Sequence, residues 1–226
     1  MADLAAISVL LRDFSGHELS AKLKQVEGAI AGMTLTRYPA FLLNTGADRK
    51  VLAAAADLKK LAGQINVLIH ALGILLCLPR ILEKGETVQY VSLGAGNTGR
   101  KFDLETDRRI AEFKFIQWRG GAESIRQNSV FKDYFELARC TNGKQRYLYL
   151  LGTEHPLRFL NSRRALDSVL SRNVKLKATF RDLFGDRYRT VGEYYRAHSR
   201  EVKIVDVAGW LSELAAAVIV EEPEDE

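Results

Sequence analysis

The stretch 93-LGAGNTGRKFDLETDRRIAEFKF-115 decides how the chain is interpreted, because its two halves predict different functions. The first half contains GAGNTG, which matches the GxGxxG pattern of nucleotide-binding loops. The second half has alternating apolar and polar residues that predict two strands, 101–105 and 109–118, with a short turn at 106–108. This half therefore predicts a β-hairpin that carries two acids and a lysine.

The glycine cluster fails the context test for nucleotide binding. A dinucleotide fingerprint needs a helix directly after its last glycine, but residues 100–106 read RKFDLET, which has no helical face. A phosphate-binding P-loop would need lysine and Ser/Thr where this chain has Arg100 and Lys101. We expect a tight turn between antiparallel strands, close enough to touch a substrate. A Rossmann-type nucleotide-binding enzyme remains the third hypothesis.

The hairpin brings the charged residues together. Alternate side chains of a strand share a face, so Ile110, Glu112 and Lys114 lie together. A turn at 106–108 places Asp103 nearly opposite Glu112, where two carboxylates repel each other. A positive group between them is expected, either Lys114 or a divalent cation. Carboxylate oxygens with a nearby backbone carbonyl suit Mg²⁺, although the same charges could also form a solvated sheet face.

Asp103 and 112-EFK-114 resemble the motif of the PD-(D/E)XK, or restriction-endonuclease-like, nuclease superfamily. That family's core runs helix, three strands, helix, strand. The same order is predicted here over residues 63–152, with a strand at 87–93 before the hairpin, a helix at 122–139 and a strand at 145–151 after it.

The resemblance implies roles for individual residues. Asp103, Glu112 and the carbonyl of Phe113 would bind Mg²⁺ or Mn²⁺, and Lys114 would be the catalytic lysine. The helix after the motif would supply a supporting polar residue, for which we prefer Gln127.

Three further positions bear on the resemblance. Lys132 is the other choice on the following helix, and Glu83 is the nearest match to a glutamate that many members carry on the preceding helix. Phe102 stands where the motif name has proline, a departure that the family often tolerates.

The predicted fold class is α/β, with a restriction-endonuclease-like αβββαβ core around a mixed four-stranded sheet. Residues 1–62 form a helical N-terminal portion, and 63–152 form the core. Residues 153–220 are a basic α/β extension of the same domain, in which 155–172 is predicted as one helix. Residues 221–226 are an acidic tail, expected to be disordered.

Composition indicates a cytoplasmic protein that does not enter membranes. Cys77 and Cys140 form no CxxC pair, which fits a reducing compartment. The N-terminus lacks the positive charge of a signal peptide. The apolar run 67–79 is shorter than the roughly 20 residues of a bilayer span, so we expect a buried core helix.

Charge favours a polyanionic partner. The chain has a net charge of +5, and its tail 221–226 holds five acids, so the remaining residues are more basic still. We expect nucleic-acid contacts from four basic residues near the motif: Arg100, Arg119, Arg126 and Lys132. The basic, aromatic region 172–203 has two open interpretations. Its rings either stack on bases or pack in the core while the charges face water.

The first functional hypothesis is a Mg²⁺-dependent nuclease that acts on DNA rather than RNA, with a homodimer or a partner subunit possible. The second is a nucleic-acid-binding or scaffold protein that keeps the fold without turnover. His70, on the apolar run, is predicted as a core histidine bonded to a neighbour rather than a metal ligand.

Overall fold

The computed structural model describes residues 19–30, 33–45, 49–94, 101–116, 118 and 124–216. The chain divides into two compact units, Met1–Asn66 and Val67–Glu226. In its described part, the first unit consists of helix α1 (Leu19–Ile30), helix α2 (Tyr38–Thr45) and the beginning of helix α3 (Arg49–Ile81). The domain boundaries expected from the sequence remain predictions.

Helix α3 is 33 residues long, and by length and composition alone it could cross a membrane. Within the second unit it is amphipathic in its packing. The side chains of Ile74, Cys77 and Ile81 are buried against the sheet, whereas four leucines on the helix are between 45% and 60% exposed: Leu68, Leu72, Leu75 and Leu76. The prediction of a buried core helix is therefore right for one face only, because the sheet covers only that face.

The second unit is built on a five-stranded sheet. Its strands are β1 (Val88–Val91), β2 (Leu104–Thr106), β3 (Arg109–Lys114), β4 (Gln145–Leu150) and β5 (Lys203–Asp206). They lie side by side in chain order; β1, β2 and β3 pair antiparallel, and β3, β4 and β5 pair parallel. The mixed α/β class is confirmed. The sheet has five strands rather than the predicted four, because β5 extends it beside β4.

Among the described residues after the hairpin there are six helices: α4 (Ser124–Ala138), α5 (Glu154–Leu160), α6 (Leu166–Leu170), α7 (Val174–Phe184), α8 (Val191–His198) and α9 (Ser212–Ala216). The prediction of one helix over 155–172 is wrong. The chain leaves helical geometry between α5 and α6, where Ala165 forms a β-bridge with Thr190.

The alternation of β3 side chains separates two hydrophobic clusters. Ala111 and Phe113 face the cluster that α3 completes, and Gly73 of α3 allows the ring of Phe115 to approach closely. A Cβ atom at Gly73 would lie 2.7 Å from that ring. Ile110 faces the other cluster, which holds α4 and the helices α5 to α8.

The aromatic residues of region 172–203 pack in the core. Phe180 and Tyr194 are buried in the α4 cluster, and Tyr188 and Tyr195 pack partly buried against it. The ring of Tyr194 is only 1% exposed, so it offers no face to a nucleobase. Of the two interpretations, the packing one is therefore confirmed for this ring.

A buried ion pair holds the amino end of β3. The guanidinium of Arg109 donates to both carboxylate oxygens of Glu86 at 2.6 Å, and both side chains are almost fully buried. The Thr106 hydroxyl also donates to Glu86, and it accepts from the Arg109 N–H that closes the hairpin turn. Burial works against the ionisation of Glu86, but hydrogen bonds from Arg109, the Glu83 N–H and Thr106 lower its pKa to about 2.

We expect Glu86→Gln to destabilise the fold by about 1 to 3 kcal/mol at pH 7, because a buried arginine loses its charged partner. The folded-state pKa of Glu86 is lowered from 4.5, so the wild type loses stability as pH falls from about 4.5 toward 2. The variant should lack this part of the acid sensitivity. Thermal denaturation at pH 7, 4 and 3 measures both effects.

The control is Glu105→Gln, which removes the charge from a partly exposed β2 carboxylate paired with Lys144 at 2.8 Å. Its effect should be a few tenths of a kcal/mol. If Glu86→Gln and the wild type were equally stable at pH 7, 4 and 3, the ion pair between Glu86 and Arg109 would not stabilise the fold as expected.

Candidate functional site

The hairpin register brings Asp103 and Glu112 together. Leu104 pairs with Ala111 and Glu105 with Ile110, and the same register continues to Asp103 opposite Glu112. Oδ2 of Asp103 accepts a hydrogen bond from the backbone N–H of Phe113 at 3.0 Å. Because this bond fixes Asp103 beside β3, the two carboxyl groups are held next to each other.

Asp103 and Glu112 are so close together that ionising one of them disfavours ionising the other. Burial, followed by the charges of Asp133 and Asp103, raises the pKa of Glu112 far above its usual range. Burial also disfavours the ionised form of Asp103. The neighbouring His70, the Phe113 N–H and a hydrogen bond from Glu112 nevertheless lower the pKa of Asp103. Without a cation, the pair therefore holds a protonated Glu112 beside an ionised Asp103.

Lys114 lies on the same face and is held by an acid of helix α4. Its Nζ atom lies 2.7 Å from Oδ2 of Asp133 and 3.9 Å from Oε2 of Glu112. Burial alone would lower the pKa of Lys114, but the charges of Asp133 and Glu112 outweigh this and raise it. The lysine is therefore cationic and positioned by two carboxyl groups.

Asp133 is the site residue that sequence reasoning missed. It lies on the apolar side of α4, next to Tyr134, and its side chain is 8% exposed. An acid on the buried face of an amphipathic helix is costly without a partner, and that was the available signal. Its partner, Lys114, could not be identified without knowing how α4 packs on β3.

His70 joins the site from the helix on the other side of the sheet. Its Nε2 atom lies 3.5 Å from Oδ1 of Asp103, and its ring contacts Phe115 edge-on, with centroids 5.9 Å apart. The predicted bonded neighbour is thus an acid of the candidate site. The sequence could not show which neighbour His70 contacts, because α3 and the hairpin are separate segments that meet only in the folded structure.

The predicted helper residues of α4 lie in different places. Gln127 is buried, and its Oε1 atom has no hydrogen-bond partner among the residues that the structure describes. Lys132 is exposed. Arg126 lines a pocket together with Lys114. The functional roles of all three remain predictions.

Other predicted residues fall outside the site or outside the described chain. Glu83 lies 3.1 Å from Arg109, at the end of β3 opposite to Lys114. Arg100, Arg119 and most of the glycine cluster (95–99) are outside the described residues. Residues 101–106 form a bend and then a strand, so the helix that a dinucleotide fingerprint needs is absent from that segment.

The donor set suits a hard divalent cation. Within the described ranges, no group of three or more His, Cys, Asp or Glu side chains is arranged to hold a metal ion. The predicted site needs only Asp103, Glu112 and the carbonyl of Phe113, whose ring packs on the opposite face of the sheet against Tyr149. Two adjacent carboxyl groups that cannot both ionise alone would both ionise around Mg²⁺ or Mn²⁺. The contribution of the Phe113 carbonyl remains a prediction.

We expect Glu112→Gln to stabilise the metal-free protein in EDTA, because it removes a buried acid that faces two others. The folded-state pKa of Glu112 is raised, so the folded wild type keeps a proton that the unfolded chain releases above about pH 4.5. Wild-type stability should therefore fall as pH rises from 4.5 through the raised pKa. The advantage of the variant should grow over that range, as thermal denaturation at several pH values would show.

The matched control is Glu136→Gln on α4, which removes a carboxylate that already pairs with Lys101 at 2.7 Å. This variant should be no more stable than the wild type. A Glu112→Gln protein that is less stable than the wild type at pH 8 would contradict the electrostatic picture.

No family model, curated protein or solved structure matches this chain. An argument about function therefore depends on the geometry of Asp103, Glu112, Lys114 and Asp133.

Proposed function

We propose that the chain is a divalent-metal-dependent nuclease that hydrolyses phosphodiester bonds, in DNA rather than RNA. One observation carries this proposal: two largely buried carboxyl groups, whose side chains are 17% and 12% exposed, lie side by side, and a cationic lysine held by a third acid lies on the same sheet face. Asp103, Glu112 and Lys114 are the residues that resemble the PD-(D/E)XK motif.

Each residue has a distinct part in this proposal. Asp103 and Glu112 hold the cation, with the carbonyl of Phe113 as a further ligand. Bound Mg²⁺ or Mn²⁺ supplies Lewis-acid polarisation of the phosphate and lowers the pKa of water. Lys114 stabilises the negative charge that develops on the phosphate and orients the attacking water. Asp133 keeps Lys114 protonated and in place.

The fold and the composition support the proposal. The order of α3, three antiparallel strands, α4 and a parallel strand is the order expected for a restriction-endonuclease-like core. The chain is basic apart from its acidic tail, which favours a polyanionic substrate. Cys77 and Cys140 are free thiols, as a cytoplasmic protein would have.

One observation favours a non-catalytic alternative. With Glu112 protonated, the carboxyl pair forms its own hydrogen bond, and Lys114 is neutralised by Asp133. Protonation of Glu112 leaves a single uncompensated carboxylate, Asp103, so the cluster avoids most of its like-charge repulsion without a metal ion. A nucleic-acid-binding or scaffold protein with the same fold could keep such a cluster, so metal binding and cleavage distinguish the two functions.

The deciding measurement is calorimetric titration of Mn²⁺ into the wild type and into Asp103→Asn at pH 7.5. We expect saturable binding to the wild type, with proton release from Glu112, and loss of binding in the variant. The matched control is Asp107→Asn in the turn of the same hairpin, where Oδ1 accepts from the Thr87 N–H. This control should bind Mn²⁺ like the wild type.

Cleavage of single-stranded and duplex DNA and of RNA, each with Mg²⁺ or Mn²⁺, follows the titration. Turnover that disappears in Asp103→Asn would support the nuclease. If Mn²⁺ binds neither the free wild type nor its complexes with a short single strand and a short duplex, the nuclease proposal is wrong and the non-catalytic alternative stands.

We expect Asp133→Asn to lower the cleavage rate about tenfold to a hundredfold, because Lys114 loses the carboxylate that positions it. Asp133 raises the pKa of Lys114, so its removal should also shift the alkaline decline of the rate–pH profile to lower pH. Glu136→Gln, one turn further along α4, is the control and should leave the profile unchanged. A slower Asp133→Asn enzyme with an unshifted profile would indicate a structural role only.

A further inference from the structure

A pocket of about 160 Å³ lies beside the candidate site, at the carboxyl ends of the parallel strands β3 and β4. Lys114 belongs to both, since its ammonium group pairs with Asp133 and the residue also lines the pocket. Ligands of open α/β sheets bind at this edge. A ligand in the pocket would therefore lie next to Lys114, and close to the phosphate on which that lysine is proposed to act.

The size and lining of the pocket select a small aromatic ring. An apolar cavity of about 150 Å³ is known to hold benzene, so about 160 Å³ accommodates one six-membered ring. The walls are mainly apolar and include Leu150 and the largely buried Trp118, which is 8% exposed.

The mouth of the pocket combines apolar and cationic residues. Ile116 and Ile125 line it and are 48% and 58% exposed, so both are accessible to a ligand. Lys114 and Arg126 also line it and suit a phosphate. An apolar slot for one ring beside two cations matches a nucleotide with a single-ring base.

We propose that this pocket binds an unpaired pyrimidine base adjacent to the scissile phosphate, so that the substrate is single-stranded or locally unpaired DNA. This inference rests on the proposed nuclease function. A base inside an intact duplex is stacked and paired, and it would have to leave the helix to reach the pocket. Free strands, ends and mismatched sites present such a base without that cost.

The first test measures binding of dTMP and dAMP in EDTA by tryptophan fluorescence, and so needs neither metal nor cleavage. The chain has two tryptophans, Trp118 and Trp210. We expect dTMP to quench the wild type and Trp210→Phe saturably but not Trp118→Phe, and to bind more tightly than dAMP. Ile125→Ala should weaken dTMP binding about fivefold through lost apolar contact. Leu183→Ala, a helix residue that is 55% exposed and outside the pocket, should not change it.

The second test compares cleavage of single-stranded oligothymidylate with cleavage of the paired duplex in Mn²⁺. The single strand should be cleaved at least about tenfold faster, and Ile125→Ala should reduce this preference. Absent dTMP binding, equal binding of dAMP, or faster cleavage of the paired duplex would each overturn the inference. If Mn²⁺ binds at Asp103 while dTMP does not bind, only the pocket assignment fails. If dTMP binds but Mn²⁺ does not, the nuclease proposal fails instead.

Discussion

The pairing of β3 between β2 and β4 is the constraint on which the rest of the second unit depends. Its side chains alternate, so Phe113 and Phe115 enter the cluster beneath α3, while Glu112 and Lys114 face α4. A register shift of one residue would exchange the faces, burying both charges among aromatic rings and exposing the phenylalanines. The ion pair between Glu86 and Arg109 helps to prevent this shift, because it anchors the first residue of β3.

Electrostatics at the other end of β3 differ from those of this anchor. Glu86 and Arg109 satisfy each other, so that the pKa of Glu86 is lowered to about 2. Three acids, by contrast, surround the single charge of Lys114, and burial together with the charges of Asp133 and Asp103 raises the pKa of Glu112. A cluster with more acid than base is poorly suited to simple structural support. It is well suited to accept a cation, and this imbalance is the physical reason for proposing metal-dependent chemistry there.

The pocket and the carboxyl pair share Lys114, which links the proposed chemistry to the proposed specificity. The wall of the pocket is held by ordinary structural contacts. The N–H of Gly152 donates to Asp206 at 3.1 Å, and this ties the end of β4 to the end of β5. Specificity would then depend on elements that the fold already orders, because both strands belong to the central sheet.

The sequence by itself indicated the hairpin and the opposition of Asp103 and Glu112, because alternation and a short turn are local features. The strand bounds were less exact: β2 begins at Leu104 rather than at residue 101, and β3 ends at Lys114 rather than at residue 118. It could not identify Asp133 or His70 as neighbours of the site, nor the exposed leucine face of α3. Those facts depend on which helix face meets the sheet, and packing between distant segments decides that. The same packing split 155–172 into two helices and placed the ring of Tyr194 in the core. Local patterns were thus enough to identify the two acids and the lysine as neighbours. Only the tertiary structure decided which other groups lie close enough to shift their pKa values, because those groups come from distant helices.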